Sequence, residues 1–294
     1  MGSLLKQNWF VARKNFLFWL ILAVLFFGSG WAALSFYSEL GMVPGLGIVY
    51  AFFAAVFIGD AGSSGRLQNE IVAGFSRTAV WFSCFLTLLF CFVLMAAAAM
   101  LGDLAGTAFA GRIEVYDPQL LGLIFLSLCL NAAGFAGMFT LICLLITGRR
   151  SGRGTVMLIV CCSVFIAIGI WGGNIENALW EPEMITSYDM SEVGIDADMI
   201  DVFYEDGENP SGLVTRQVPN PAYVGEPLRS QYEAIEDFLP VTQAIRMLQV
   251  LRSGDGPMSP EAWHALYILW LDAAILTACT AGACVVLFRR RDLT

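Results

Sequence analysis

Charge is what this sequence has little of. Only 14% of its 294 residues are Asp, Glu, Lys or Arg, against about 25% in an ordinary soluble domain. With 57% hydrophobic residues and a mean hydropathy of +0.69, a water-soluble globule would leave too much apolar surface exposed. Disorder, collagen and disulfide scaffolds are excluded by the same composition. Lysine is almost missing, with Lys6 and Lys14 alone. Neither follows a glycine, so the chain has no G-x-x-x-x-G-K-[ST] loop to cradle phosphates. The nearest imitation, Gly148-Arg-Arg-Ser-Gly-Arg-Gly-Thr155, lacks both the spacing and the lysine. One histidine, His264, rules out a multi-histidine metal centre. All eight cysteines lie in apolar stretches, so neither a disulfide framework nor a thiol metal site is expected.

What is there is a set of long charge-free runs. No charged residue occurs in 15–38, 40–59, 78–102, 118–148 or 154–175, and a sixth apolar stretch at 263–288 is broken only by Asp272. A spanning helix needs about 20 apolar residues. The runs are continuous rather than alternating, which excludes a β-barrel and leaves helices. The sequence therefore predicts an all-α integral membrane protein with six transmembrane helices, at about 16–37, 44–61, 79–101, 119–147, 155–172 and 264–288. The first run is too long for a cleaved leader and has no clear small-x-small site after it, so it is read as a retained span.

Lys and Arg set the orientation. Eleven of them fall on one side: Lys6, Arg13, Lys14, Arg66, Arg77, Arg149, Arg150, Arg153, Arg289, Arg290 and Arg291. Both termini are expected to be cytoplasmic. Residues 173–262 then form a large extracytoplasmic insert holding 17 of the 25 acidic residues, with a net charge of −13. The domain division is 1–172 (spans one to five), 173–262 (insert) and 263–294 (span six and basic tail). The acidic balance of the chain comes from the insert and gives no reason to expect nucleic acid. Its acidic group Asp196–Glu208 fails the D-x-[DN]-x-[DN]-G calcium pattern, because Ile200 and Asp201 stand at the third ligand and the glycine. Its end reads as amphipathic helix, with Tyr232, Ile235, Phe238 and Leu239 on one stripe, and Ala244, Met247, Leu248 and Leu251 on another after Pro240. A serine protease pairing of Ser63 or Ser64 with His264 fails on topology. The two ends are a hydrocarbon thickness apart, roughly 30 Å, where proton transfer needs about 3 Å.

The segment between spans two and three carries the most positional information. Ser63 or Ser64 can cap a short helix and Gly74 can end it, giving a helix at about 64–74. Leu67, Ile71 and Val72 supply an apolar edge, Arg66, Asn69 and Glu70 polar handles, and Ser76 a cap for the next span. The residues alone leave two readings open, a surface connector and a docking helix for a cytoplasmic partner. Within the membrane, Asp272 is the costliest residue, about 2.5–3.5 kcal/mol on insertion scales. It reads either as a group lining a translocation path or as a protonated packing residue, and Asn131 carries the same two readings more cheaply. The small residues around Gly134 and Gly137, and at Ala96–Ala99, are expected to serve close helix packing.

Gly74-Phe-Ser-Arg77, following a short helix and opening the third span, resembles the "G-x-S-R" element of membrane permease subunits of type-2 ABC transporters. An amphipathic N-terminal helix, with Leu5, Trp9, Ala12 and Phe16 on one stripe, six spans, a helical insert before span six, and the terminus Phe288-Arg-Arg-Arg-Asp-Leu293 resemble the same family. The resemblance implies a bacterial exporter permease, not an enzyme, in a prokaryotic cytoplasmic membrane. It implies two permease subunits, identical or homologous, with membrane lipid around them. Separate cytoplasmic ATPase subunits would hold ATP and Mg, so no cofactor is expected in this chain. The helix at 64–74 would be the coupling helix, with Arg66 and Glu70 as polar contacts, Leu67 and Ile71 as apolar anchors, and Gly74 and Arg77 from the motif. Asn131 and Asp272 are the candidates for the translocation path. The rival readings are an ion-coupled secondary transporter using Asp272 and a membrane sensor with the acidic insert as its ligand domain.

Overall fold

The structure, a computed structural model, describes residues 1–35, 43–111, 118–146, 153–189, 214–252 and 259–290. The chain is mostly helical. In order it forms α1 (Gly2–Lys14), α2 (Phe16–Ser35), α3 (Val43–Ser63), α4 (Arg66–Val72), α5 (Arg77–Phe109), α6 (Pro118–Ile146), α7 (Arg153–Trp180), β1 (Met184–Asp189), β2 (Val214–Pro219), α8 (Leu228–Phe238), α9 (Pro240–Arg252) and α10 (Pro260–Arg290). Six of these, α2, α3, α5, α6, α7 and α10, are long and apolar enough to cross a membrane, which fits a multi-pass membrane protein.

The third span differs from its expected end at 101. It continues to Phe109, because Asp103 is carried into the interior at 3% exposure instead of stopping the helix. α7 likewise runs on to Trp180 through Glu176, and α10 begins at Pro260.

The chain divides into two units, Met1–Gly172 with Glu236–Thr294, and Gly173–Ile235. The second unit corrects the all-α expectation, since β1 and β2 pair antiparallel, Met184 opposite Pro219 and Asp189 opposite Val214. Asn220 closes this unit's turn. Its amide donates to Glu181 Oε2 (2.8 Å) and Pro182 O (3.0 Å), and its Oδ1 accepts from Ala222 N–H. Arg229 donates to Leu179 O (2.9 Å) and pairs with Glu233 (3.4 Å). The acidic group 196–208, the basic loops at 112 and 149–150, and residues 291–294 lie outside the described residues.

In the first unit the core is aromatic and lies on α3, α5 and α6. Tyr50 stacks on Phe92 with ring centroids 4.3 Å apart and meets Phe135 edge-on, and Phe135 stacks on Phe139. Small residues bring backbones together elsewhere. A Cβ at Gly137 would lie 2.1 Å from Thr280 Oγ1, and one at Gly134 3.3 Å from Leu276 Cδ2, so the expected small face of α6 is where α10 seats. α2 and α5 meet at Gly30, Gly102 and Gly106. α1 lies along α5 by Leu4, Asn8 and Ala12, all fully buried. That stripe sits one residue before the expected Leu5–Trp9 line. The register is set by a polar side chain, Asn8, whose Nδ2 donates to Ser83 Oγ at 2.9 Å.

Candidate functional site

The helix between spans two and three is shorter than expected, and its start is built differently. Ser64 does not cap it. Its hydroxyl donates back to Asp60 O (2.6 Å), closing α3, and Gly65 turns the chain in the left-handed region at φ 70° with no side-chain cap. Glycine alone takes that conformation without strain. The end is as the sequence implies. Gly74 sits at φ 94°, its N–H bonds Ile71 O, and Phe75 N–H bonds Glu70 O at 3.2 Å. This is the Schellman pattern that satisfies the last carbonyls of a helix. Ser76 then caps α5 by accepting from Ala79 N–H.

One face of α4 is held in a small satellite core. Leu67 joins Leu4 of α1, Ala61 of α3, and Val80 and Cys84 of α5, with Ile71, Phe75 and Ala79 packed against them. Leu67, Glu70 and Ile71 fall on this side by their i, i+3, i+4 spacing. Glu70 is 4% exposed, so the two side chains expected as outward polar contacts, Arg66 and Glu70, face inward instead. The guanidinium of Arg66 lies 5.1 Å over the Phe57 ring, and its Nε is 3.9 Å from Glu70 Oε1. That distance is an ion pair without a hydrogen bond, and neither Glu70 oxygen has a hydrogen-bond partner. Burial pushes the Glu70 carboxyl above the usual range, and Arg66 opposes the shift without cancelling it. The opposite face of α4 is open. Gln68, Asn69 and Val72 are exposed, with Ala73 and Gly74 beyond, and Val72 at 86% exposure. Arg77 is half-buried as the first residue of α5.

The two membrane candidates separate. Asn131 is 4% exposed, and its Nδ2 donates to Pro240 O at 2.7 Å. It therefore ties α6 to the first residue of α9. Gln243, fully buried, ties α9 in turn to α10 and back to α8, donating from Nε2 to Leu269 O and Asp237 O, both 3.0 Å. Asn131→Leu leaves the Pro240 carbonyl without this donor, at a cost of about 1–3 kcal/mol. The expected result is faster labelling of a cysteine placed at Val241, measured with a membrane-impermeant maleimide, while α6 stays unlabelled. Asp272, in contrast, is half-exposed on α10 beside Leu271 and Ile275, which are 60% and 42% exposed.

Two polar residues carry roles the sequence reading did not assign. Asn8 hid in an amphipathic helix, where its i+4 spacing from Leu4 and to Ala12 was the available signal. Asp103 hid behind the end of a charge-free run. Among the described residues no group of three His, Cys, Asp or Glu is placed to hold a metal ion. The chain matches no protein-family model and no curated protein.

Proposed function

We propose that this chain is the permease subunit of an ATP-binding cassette exporter, with α4 as the element that docks on a separate ATPase. The single observation that carries the reading is the construction of α4. It is a seven-residue helix set off by two left-handed glycines, with one face locked into the ends of α1, α3 and α5 and the other face bare. A partner that pushes on the bare face moves three helices at once. A change of access can be driven this way only if the partner binds the two states with different affinity. The distribution of Lys and Arg supports placing this end in the cytoplasm and both termini with it. ATP and Mg would sit on the partner, since the chain offers no P-loop.

Co-purification from the native membrane in mild detergent, followed by mass spectrometry, tests this. The expected result is a stoichiometric P-loop ATPase, lost when Val72→Arg places a charge on the bare face and the bundle stays monodisperse. Recovery of the chain without any ATPase overturns the reading and favours an ion-coupled transporter, with the half-exposed Asp272 as its coupling carboxylate.

A further inference from the structure

Residues 1–38 contain three charged side chains, Lys6, Arg13 and Lys14, all cationic and all on α1. With Phe10 they recur at i, i+4, i+7 and i+8. That spacing places them on one face of the helix, opposite the buried stripe of Leu4, Asn8 and Ala12. All four are exposed, and among the described residues none of the three cations has an acidic partner. Lys14 Nζ instead lies 4.4 Å from the centre of the Phe10 ring. We propose that this face binds the headgroup of an anionic phospholipid whose acyl chain lies along α2. The site does not depend on the permease reading.

The position of α1 selects a lipid over a soluble anion. The helix lies alongside the third span. Leu4 packs with Val80 and Cys84, Asn8 bonds Ser83, and Trp9 stands edge-on to Phe90 with ring centroids 4.9 Å apart. Val80 to Phe90 is about 15 Å of helix, and it belongs to the charge-free run 78–102. Phe82 and Phe90 of that run are themselves exposed. The cations therefore stand beside apolar surface, at the level where headgroup phosphates meet the hydrocarbon. Surface for the acyl chain follows directly in the sequence. Phe16, Leu20, Val24, Phe27 and Trp31 recur at i, i+4, i+8, i+11 and i+15 and are 45–76% exposed. They make one apolar stripe about 22 Å long. Two hydrogen bonds hold the corner between the two surfaces. Trp19 Nε1 donates to Arg13 O (2.7 Å), and Asn15 Oδ1 accepts from Leu17 N–H (3.0 Å). An exposed indole at such a corner is an interfacial anchor. Three uncompensated cations favour an anionic headgroup over a zwitterionic one, because the zwitterion brings a cation of its own.

Native mass spectrometry of the detergent-solubilised full chain counts bound lipid as phosphatidylglycerol or phosphatidylcholine with the same acyl chains is added. Phosphatidylglycerol should bind at least about tenfold more tightly, since each Lys or Arg near an anionic surface contributes about fivefold. Lys6→Gln with Arg13→Gln and Lys14→Gln should abolish the preference. Lys6→Arg with Lys14→Arg retains the charge and should retain the preference. Three cations removed elsewhere, by glutamine at Arg289, Arg290 and Arg291, should leave it unchanged. Equal affinity of the parent for the two lipids overturns the proposal, and this comparison needs no variant to fold. The parental preference in the α1 triple variant, or an equal loss in both triple variants, also overturns it. Displacement of phosphatidylglycerol by millimolar inorganic phosphate would show a site for a free anion and overturn the assignment to lipid.

Discussion

Gly102→Ala is expected to disrupt the bundle, although it adds a single methyl group. A Cβ at this position lies 2.0 Å from Phe26 O, 2.8 Å from Phe26 C and 2.9 Å from Phe26 Cα. All three are backbone atoms, so no rotamer change relieves the clash. One helical turn on, a Cβ at Gly106 would meet Gly30 O at 2.3 Å, and Gly30 faces Gly102 O in return. The seam between α2 and α5 is therefore backbone against backbone, the arrangement small residues permit in a lipid environment. Ordinary contact distances require the two helices to separate by roughly 1 Å, and a gap of that size forfeits a quarter to a half of each dispersion contact along the seam. The cost should reach the upper end for overpacking, about 3 kcal/mol. Thermal unfolding of the detergent-solubilised chain reads it directly. Gly122→Ala is the control, since nothing lies within 4 Å of its added Cβ. It should be stabilising by about 0.5–1 kcal/mol through helix propensity. A Gly102→Ala midpoint equal to that of the parent would show that α2 and α5 do not approach this closely.

The six long helices were legible because charge is costly in lipid, so its absence outlines them. The same rule misplaced the end of α5, since a charge inside protein is not a charge in lipid and Asp103 is buried at 3% exposure. Gly74 was legible because one backbone conformation, left-handed and glycine-specific, ends α4. Ser64 was not, because a serine hydroxyl can either accept from the N–H groups that open a helix or donate to a carbonyl of the preceding turn, and this one donates to Asp60 O. The β1–β2 pair joins segments more than twenty residues apart, so no local pattern of the hairpin kind announced it. Asn131 was legible as a buried polar group. Its partner, the carbonyl of Pro240, was 109 residues away, in a segment whose amphipathic pattern did not say which span it meets.

Arg66 and Glu70 show how a polar residue misleads when only one element is in view, and they yield the second large effect. On an isolated seven-residue helix both look like handles for a partner. In the fold, Glu70 sits at i+3 from Leu67 and enters the satellite core with it. Glu70→Ala then leaves the Arg66 guanidinium over Phe57 without its counter-charge. Breaking a buried pair costs about 3–5 kcal/mol. The 3.9 Å separation and the 13% exposure of the Arg66 side chain reduce this, and about 2 kcal/mol is expected. The double replacement Arg66→Met with Glu70→Leu should recover most of that loss, because it removes two poorly satisfied charges and fills the same space. The pH dependence has a definite sign. A carboxyl raised above its ordinary 4.5 by burial binds its proton more tightly when folded. Its contribution therefore favours the folded state at low pH and is lost as pH rises through the raised value. The double variant should lack this component in pH-dependent unfolding. A double variant that is stable and still recovers the ATPase means that docking runs through Gln68, Asn69 and Val72. A double variant that is stable yet recovers none means that Arg66 and Glu70 turn outward when the partner binds.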